Sequence, residues 1–347
     1  MTLAAPRRRA ALRWPDEAAL GTEVWAAVPF RPEEWPGAFE PARHEHAGLL
    51  RALVASGARV VALVPSDSER EAACRRMGEA AEAVRWLRQP YGDAWLRDTM
   101  PLVLHDAAGT PAAAVTLRFD GWGGKYLIEG DADLAERAAR LLELPRRALP
   151  LRGEGGSLET DGEGTLLASR TSLLARNPGL HHDALAERLL RALGAERLLW
   201  VDGQLRGDHT DGHVDTLARF AGPGRLLLAE PPPDGHDAAV LEGLWRRLDG
   251  VRDARGRALR LLAVPSPGRL TGPRGEVLPG SYLNFLLAGD AVLVPQYGAW
   301  ADELALQALA DAFPARRVLG VPARALLSGG GAVHCLTMGV GGAARPA

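Results

Sequence analysis

The sequence predicts an α/β protein in which a strand–loop–strand unit recurs five times. Three observations predict it. Short apolar segments alternate with helical stretches along most of the chain. From Val84 onward the pattern repeats, in Val84–Leu104, Arg147–Ala168, Arg197–Phe220, Leu259–Pro295 and Arg317–Met338, with starts 50 to 63 residues apart. Nearly every residue suited to chemistry falls in the loop of one of these units. Repeats of such a period suit a propeller or solenoid. They are unequal in length and share little sequence, so periodicity alone leaves an ordinary alternating α/β fold open.

The elements follow in order. Glu23–Val28 alternates and stops at Pro29, a first strand. Pro41–Ala55 places Leu49, Leu50, Leu53 and Val54 at helical spacing, with Gly57 as its stop. Arg59–Pro65 is a continuous apolar strand, and Ser68 caps a helix running to about Ala83. Between successive units lie the helical stretches Asp131–Leu142, His182–Leu193, Asp237–Leu248 and Ala301–Ala312. The fifth unit lacks a helix after it, and the N-terminal elements can supply the missing part by ring closure. The Pro/Gly-rich pieces Pro231–Gly235 and Pro265–Gly268 are short enough to be loops, so residues 1–347 read as one domain.

Composition narrows the function. The chain has 347 residues, 47% hydrophobic and 24% charged, enough to bury a sizeable core. A net charge of −2 gives no electrostatic footprint for nucleic acid or an acidic membrane. No apolar run approaches the ~18 residues of a membrane span. The basic start Met1–Ala10 is followed by Arg13, Asp16 and Glu17 rather than an apolar core, which argues against a signal peptide. Two cysteines cannot build a disulfide framework, so a cytoplasmic protein is expected. A homo-oligomer, dimer or tetramer, stays open.

Cys335 follows three glycines in Gly329-Gly-Gly-Ala-Val-His-Cys335, where the backbone can fold tightly against a ligand. Cys74 lies in a polar, exposed-looking helix, so a working thiol would be Cys335. His213 and Asp215 flank Val214 and would share one face of a strand. A carboxylate can hold a histidine protonated, and an imidazolium can lower a thiol's pKa enough to make it a thiolate at neutral pH. Cys335 and His213 would then serve as nucleophile and general acid/base, the bland alternative being a buried cysteine and a structural histidine. Asp98, Glu154, Asp211 and Asp215 sit in loops beside apolar strands, where charge is costly unless paired. Their natural partner is a planar guanidinium; singly, each is also a plausible turn former or cap. His209 and His213 have H-x3-H spacing with Asp208, Asp211 and Asp215 nearby, so a zinc-dependent hydrolase competes. Gly212 and the strand-like Val214–Phe220 speak against the helix that this motif needs. Phe119–Lys125 lacks the spacing of a phosphate loop, and Tyr126 stands where its Ser/Thr would be.

Seven motifs in order carry a resemblance over nearly the whole chain: Trp95-Leu-Arg-Asp98 with Pro101, Trp122-Gly-Gly-Lys125, Glu154-Gly-Gly-Ser-Leu-Glu159, Thr210-Asp-Gly-His-Val-Asp215, Ser281-Tyr-Leu-Asn-Phe285, Val294-Pro-Gln-Tyr-Gly298, and the glycine run ending at Cys335. Together they resemble the agmatine deiminase / bacterial-type peptidylarginine deiminase family. The resemblance implies a pentein fold, an α/β propeller with five-fold pseudosymmetry around a central site. It implies hydrolysis of a small-molecule guanidine to the ureido compound and ammonia, without metal or other cofactor. It makes Cys335 the nucleophile, His213 the general acid/base and Glu154 the group that orients His213. Asp98 and Asp215 would bind the guanidinium, and the motifs add Trp95, Arg97, Trp122, Ser281, Asn284 and Gly330 to the substrate contacts. An amidinotransferase or a peptidylarginine deiminase would use the same site. Three departures bear on the substrate tail: Met100 replaces a glycine, Ala332 an asparagine, and Met338-Gly339 falls where glutamines are usual.

Overall fold

The computed structural model describes residues 12–342, so the expectation for Met1–Ala10 lies outside the described residues. Five sheets share one strand order. In each, a short first strand pairs antiparallel with a second, and the second pairs parallel with a third. The triplets are Thr337–Gly339, Glu23–Ala27 and Arg59–Val64; Leu102–His105, Pro111–Arg118 and Arg146–Arg152; Leu158–Thr160, Thr165–Ser169 and Arg197–Val201; Ala218–Phe220, Arg225–Ala229 and Arg260–Val264; and Leu286–Ala288, Ala291–Gln296 and Arg317–Pro322. Val84–Arg88 extends the first sheet, and Leu270–Thr271 with Val277–Leu278 form a separate hairpin.

A parallel pair needs a crossover, and here each is a helix. The helices Phe39–Ala55, Leu134–Leu141, His182–Leu193, Ala238–Leu248 and Asp302–Ala312 each lie between the second and third strands of a sheet. Each turns apolar side chains inward: Leu49, Leu50 and Leu53 in the first, Leu185, Leu189 and Leu193 in the third. Gly194, left-handed at φ 67°, closes the third.

In four of the sheets burial falls from the first strand to the third. The five first strands are fully buried, while the third strands Arg146–Arg152, Arg197–Val201, Arg260–Val264 and Arg317–Pro322 are only partly buried; Arg59–Val64, flanked by Val84–Arg88, stays buried. The first strands therefore form the interior, and their side chains meet there: Arg219 on one donates to Glu159 on another at 3.0 Å and to the Phe285 carbonyl beside a third at 2.8 Å.

The five units expected from sequence are present in a shifted frame. Four of the expected units join the third strand of one sheet to the first strand of the next, and the one at Val84–Leu104 starts from the added strand Val84–Arg88, so each loop is the crossing between sheets. Three local expectations are corrected. Ser66, not Ser68, caps the helix Asp67–Met77, accepting from Glu69 N at 3.2 Å. That helix ends at Met77, because Gly78 takes φ 65°, and the rest to Ala83 is 3-10. Val214–Phe220 is not one strand: Val214–Thr216 is a 3-10 turn and only Ala218–Phe220 is extended. His213 and Asp215 thus sit on a turn rather than along a strand face.

Candidate active site

The crossing loops converge on a pocket of about 250 Å3. Asp98 and Cys335 line it together with Trp95, Trp122, Gly330 and Gly331, and with Glu33, Glu34, Asp93 and His209. His213, Glu154 and Asp215 do not line it; they are buried directly against the residues that do.

Cys335 lies in the turn before the strand Thr337–Gly339. Its Sγ receives Asn284 Nδ2 at 3.1 Å and faces Asp215 Oδ2 at 3.4 Å. Asn284 Oδ1 in turn accepts from the Cys335 and His334 amides, at 3.4 and 3.0 Å. The glycine run is needed at Gly331, where a Cβ would stand 2.8 Å from Cys335 Cβ and 2.9 Å from Trp95.

His213 is held among carboxylates. Nε2 is 3.4 Å from Glu154 Oε2, and Nδ1 is 3.8 Å from Asp98 Oδ2. Gly156 permits this packing, since a Cβ there would lie 2.5 Å from His213 Nδ1. Asp98 is fixed by Gly156 N on Oδ1 and Trp122 Nε1 on Oδ2, both at 2.9 Å. Trp122 presents that N–H from a Gly121–Gly124 turn with its own φ at 54°, a strained value for a bulky residue beside a functional site. Glu154 Oε1 accepts from Arg176 Nε at 2.8 Å, and Arg176 also reaches Asp211 Oδ2 at 2.6 Å. Asp211 is therefore a brace between Arg176 and Lys125, not a pocket carboxylate.

The electrostatics follow from burial and these neighbours. Burial alone would drive the imidazolium down, but Asp98, Glu154 and Asp215 outweigh it and carry His213 up to about 10. Burial raises Asp215 less than His334 and His213 lower it, leaving it at about 2. Glu154 is likewise lowered, its burial outweighed by His213 and Arg176, whereas burial leaves Asp98 raised. Burial, then Asp215 and Asp98, push the Cys335 thiol well above its ordinary value. This reverses the expectation of a resting thiolate. Negative groups dominate the surroundings of the sulfur, so the thiol keeps its proton.

Several predicted site residues sit elsewhere. Arg97 faces away from the pocket, pairing with Glu17 Oε1 at 3.1 Å and the His334 carbonyl at 3.4 Å. Ser281 Oγ donates to the Thr216 carbonyl at 2.7 Å, buttressing the turn behind Asp215. The departures Met100, Ala332 and Met338 are all buried and none lines the pocket, so they do not touch a substrate tail there. His209 and His213 do not converge as metal ligands. His209 is exposed at the rim with Nδ1 on Tyr126 Oη at 3.2 Å, while His213 is enclosed by carboxylates. Among the described residues, the one metal-type cluster is the exposed His181, His182 and Asp183. Arg176, Glu17 and His334 were not singled out from sequence; His334 alone carried a signal, its place beside Cys335.

Relatives share this architecture. A "Putative agmatine deiminase" of Vibrio parahaemolyticus is 32% identical over 348 residues, covering 93% of this chain and 95% of its own. The structure of the agmatine deiminase of Enterococcus faecalis superposes with a TM-score of 0.87 at 27% identity, covering 94% of this chain and 95% of that one. The C. jejuni agmatine deiminase, 23% identical, shares the fold with a TM-score of 0.83 over 95% of this chain and 97% of its own. The fold is thus mixed α/β, similar to pentein agmatine deiminases. Residues 13–340 match the Porphyromonas-type peptidyl-arginine deiminase family, and the chain belongs to that family of hydrolases acting on C–N bonds.

Proposed function

We propose that this protein is a cysteine-dependent deiminase that hydrolyses a guanidino compound to its ureido product and ammonia. On this reading the five sheets close into a five-fold pentein propeller with the pocket on its axis. The observation that carries the reading is the placement of a thiol beside buried carboxylates one of whose oxygens is uncommitted. Asp215 Oδ1 is buried without a hydrogen-bond partner among the described residues, as is His213 Nδ1. A buried carboxylate oxygen left unpaired is costly, and the N–H edge of a flat cation satisfies it.

Bound between Asp98 and Asp215, a guanidinium presents its carbon to Cys335 Sγ, a gain of proximity and orientation. Its arrival also offsets the negative charge that keeps the thiol protonated, so a proton leaves as a cation enters. Sulfur then attacks the carbon and a C–S bond forms. The tetrahedral intermediate collapses with C–N cleavage as His213 gives its proton to the departing ammonia. The remaining S-alkylthiouronium is attacked by water, whose proton passes to His213. Expulsion of the sulfur, which takes the remaining hydroxyl proton and returns to the thiol, yields the ureido product.

The acid residues Glu33, Glu34 and Asp93 of the lining favour a substrate with a second positive charge, as in agmatine. Glu34 and Asp93 face each other in hydrogen-bond contact beside Glu33. Burial, then Glu34, hold the Asp93 carboxyl well above its ordinary value. A bound ammonium would favour loss of the pair's proton to solvent and complete a charge-assisted contact. The test is turnover of agmatine, free arginine, a peptide C-terminal arginine and small guanidino acids, with chelator present and ureido product measured. An added amine acceptor distinguishes an amidinotransferase. Agmatine should be preferred and Cys335→Ala inactive. Turnover of no guanidine, or activity retained in Cys335→Ala, would end the proposal.

A further inference from the structure

Behind Asp215 lies a buried ionic chain that the proposed chemistry does not use. His334 Nδ1 stands 2.8 Å from Asp215 Oδ2, and His334 Nε2 stands 2.7 Å from Glu17 Oε1. The ring is 1% exposed. Lone pairs face both ring nitrogens from carboxylate oxygens, so a ring that satisfies both carries an N–H on each. Glu17 is itself pinned: Oε1 takes Arg97, while Oε2 takes Arg219 and the Leu287 amide at 3.1 Å. Arg219 is fixed by Glu159, by the Leu283 and Phe285 carbonyls, and by the Phe285 ring 4.5 Å below its guanidinium. The chain therefore runs from the catalytic turn into the first strands of two sheets and the start of a third.

We propose that His334 is a positioning residue for substrate binding, clamping Asp215 Oδ2 so that Oδ1 stays free to grip the guanidinium. The proposal rests on the guanidine reading above and assigns a role to a residue outside the pocket. Without the clamp, the carboxylate can rotate to pair both oxygens elsewhere, and it loses the cation that keeps it ionised. Asp215 is faced by His213 on its own turn, Cys335 and His334 from the C-terminal turn, Asp98 from Leu96–Thr99, Arg219 from Ala218–Phe220 and Tyr297 just after Ala291–Gln296. Of the cations in that set, His334 alone makes a hydrogen bond to it. Glu154 acts through His213, and Glu17, Glu159 and Arg97 act through His334 and Arg219. Since burial raises Asp215 and His334 is the leading influence that lowers it, removing His334 moves its protonation to higher pH.

The experiment is steady-state kinetics with carboxyl-carbon NMR titration of Asp215 for His334→Gln and Glu17→Gln. For His334→Gln, KM should rise about tenfold or more with kcat changed less, and the Asp215 carboxyl should take up its proton about one pH unit higher than in the parent. Glu17→Gln should shift that titration the same way by less. A loss confined to kcat, with the Asp215 titration unmoved in either folded variant, would reduce the chain to a structural element and overturn the proposal. If the variants do not fold, nitrogen NMR of His334 in the unsubstituted protein decides. Two slowly exchanging ring N–H protons are expected, and a ring with one bare nitrogen overturns the proposal. This readout needs no substrate, so it stands or falls separately from the guanidine reading.

Discussion

Replacing Glu154 by glutamine tests whether carboxylates, rather than the thiol, set the charge of His213. The substitution keeps the size of the side chain and removes one negative charge 3.4 Å from Nε2. At an effective dielectric of ~20, a unit pair at that distance is worth roughly 5 kcal/mol. Only part of this appears as a shift, because Asp98 and Asp215 remain and the site relaxes. Arg176, left with Asp211 as its close carboxylate partner, then shows His213 more of its positive charge and pushes the same way. We expect His213 to fall from about 10 by about 2 pH units. The assay is histidine NMR titration in a Cys335→Ala background, where loss of activity does not matter. The sign carries over to stability. Folded His213 holds its proton more tightly than the unfolded chain does, near 6.5. Its contribution is therefore complete below about 6.5, declines as pH rises and is gone above about 10. The melting temperature of the parent should fall across that window more than that of Glu154→Gln. Titration of His213 in the ordinary imidazole range in the parent, or no movement in the variant, would refute the reasoning.

Gly156→Ala should cost about a hundredfold or more in kcat/KM with the fold retained, because its Cβ would sit 2.5 Å from His213 Nδ1 and 2.9 Å from Asp98 Oδ1; circular dichroism with steady-state kinetics checks both parts. Asp93→Asn should raise KM for agmatine about tenfold, the ~1.5 kcal/mol of one hydrogen bond to a charged group, and change KM for free arginine less. The Cys335 thiol should react slowly with neutral iodoacetamide at pH 7. A small haloacetamidine, which brings its own cation, should label it roughly tenfold faster or more, by mass spectrometry of the modified peptide. Equal rates for the two reagents would mean that the carboxylates do not govern the sulfur.

The legible part of the fold was its period, and the illegible part was its frame. Apolar strands and crossover helices mark themselves by composition, so Arg59–Val64 and His182–Leu193 appear where they were read. Which strands pair is a matter of hydrogen bonds between distant segments, as when Thr337–Gly339 joins Glu23–Ala27. The loops therefore looked like the inside of each unit and proved to be the crossings between units. His213 and Asp215 were misread locally because Asp211 and Gly212, at φ 65° and 93°, turn the chain just before them. Arg97 was placed by its motif, but its partner Glu17 is 80 positions away, and no local pattern reports a long-range ion pair.

The reversed expectation for the thiol explains why the site is built as it is. A histidine and a cysteine seen alone suggest mutual activation, since each is the other's evident partner. Here the charged atom in hydrogen-bond contact with the sulfur is Asp215 Oδ2, at 3.4 Å, and the imidazole's close partners are Glu154 and Asp98. Acid groups thus hold the thiol neutral and the imidazole charged together. That pairing is unreactive toward neutral electrophiles and leaves His213 ready to donate rather than accept a proton. A planar cation changes the thiol's side of the balance while leaving the imidazole's carboxylates in place. On the proposed deiminase reading, selectivity for guanidines arises at the deprotonation of Cys335 as well as in binding, because a ligand without the charge does not release the sulfur.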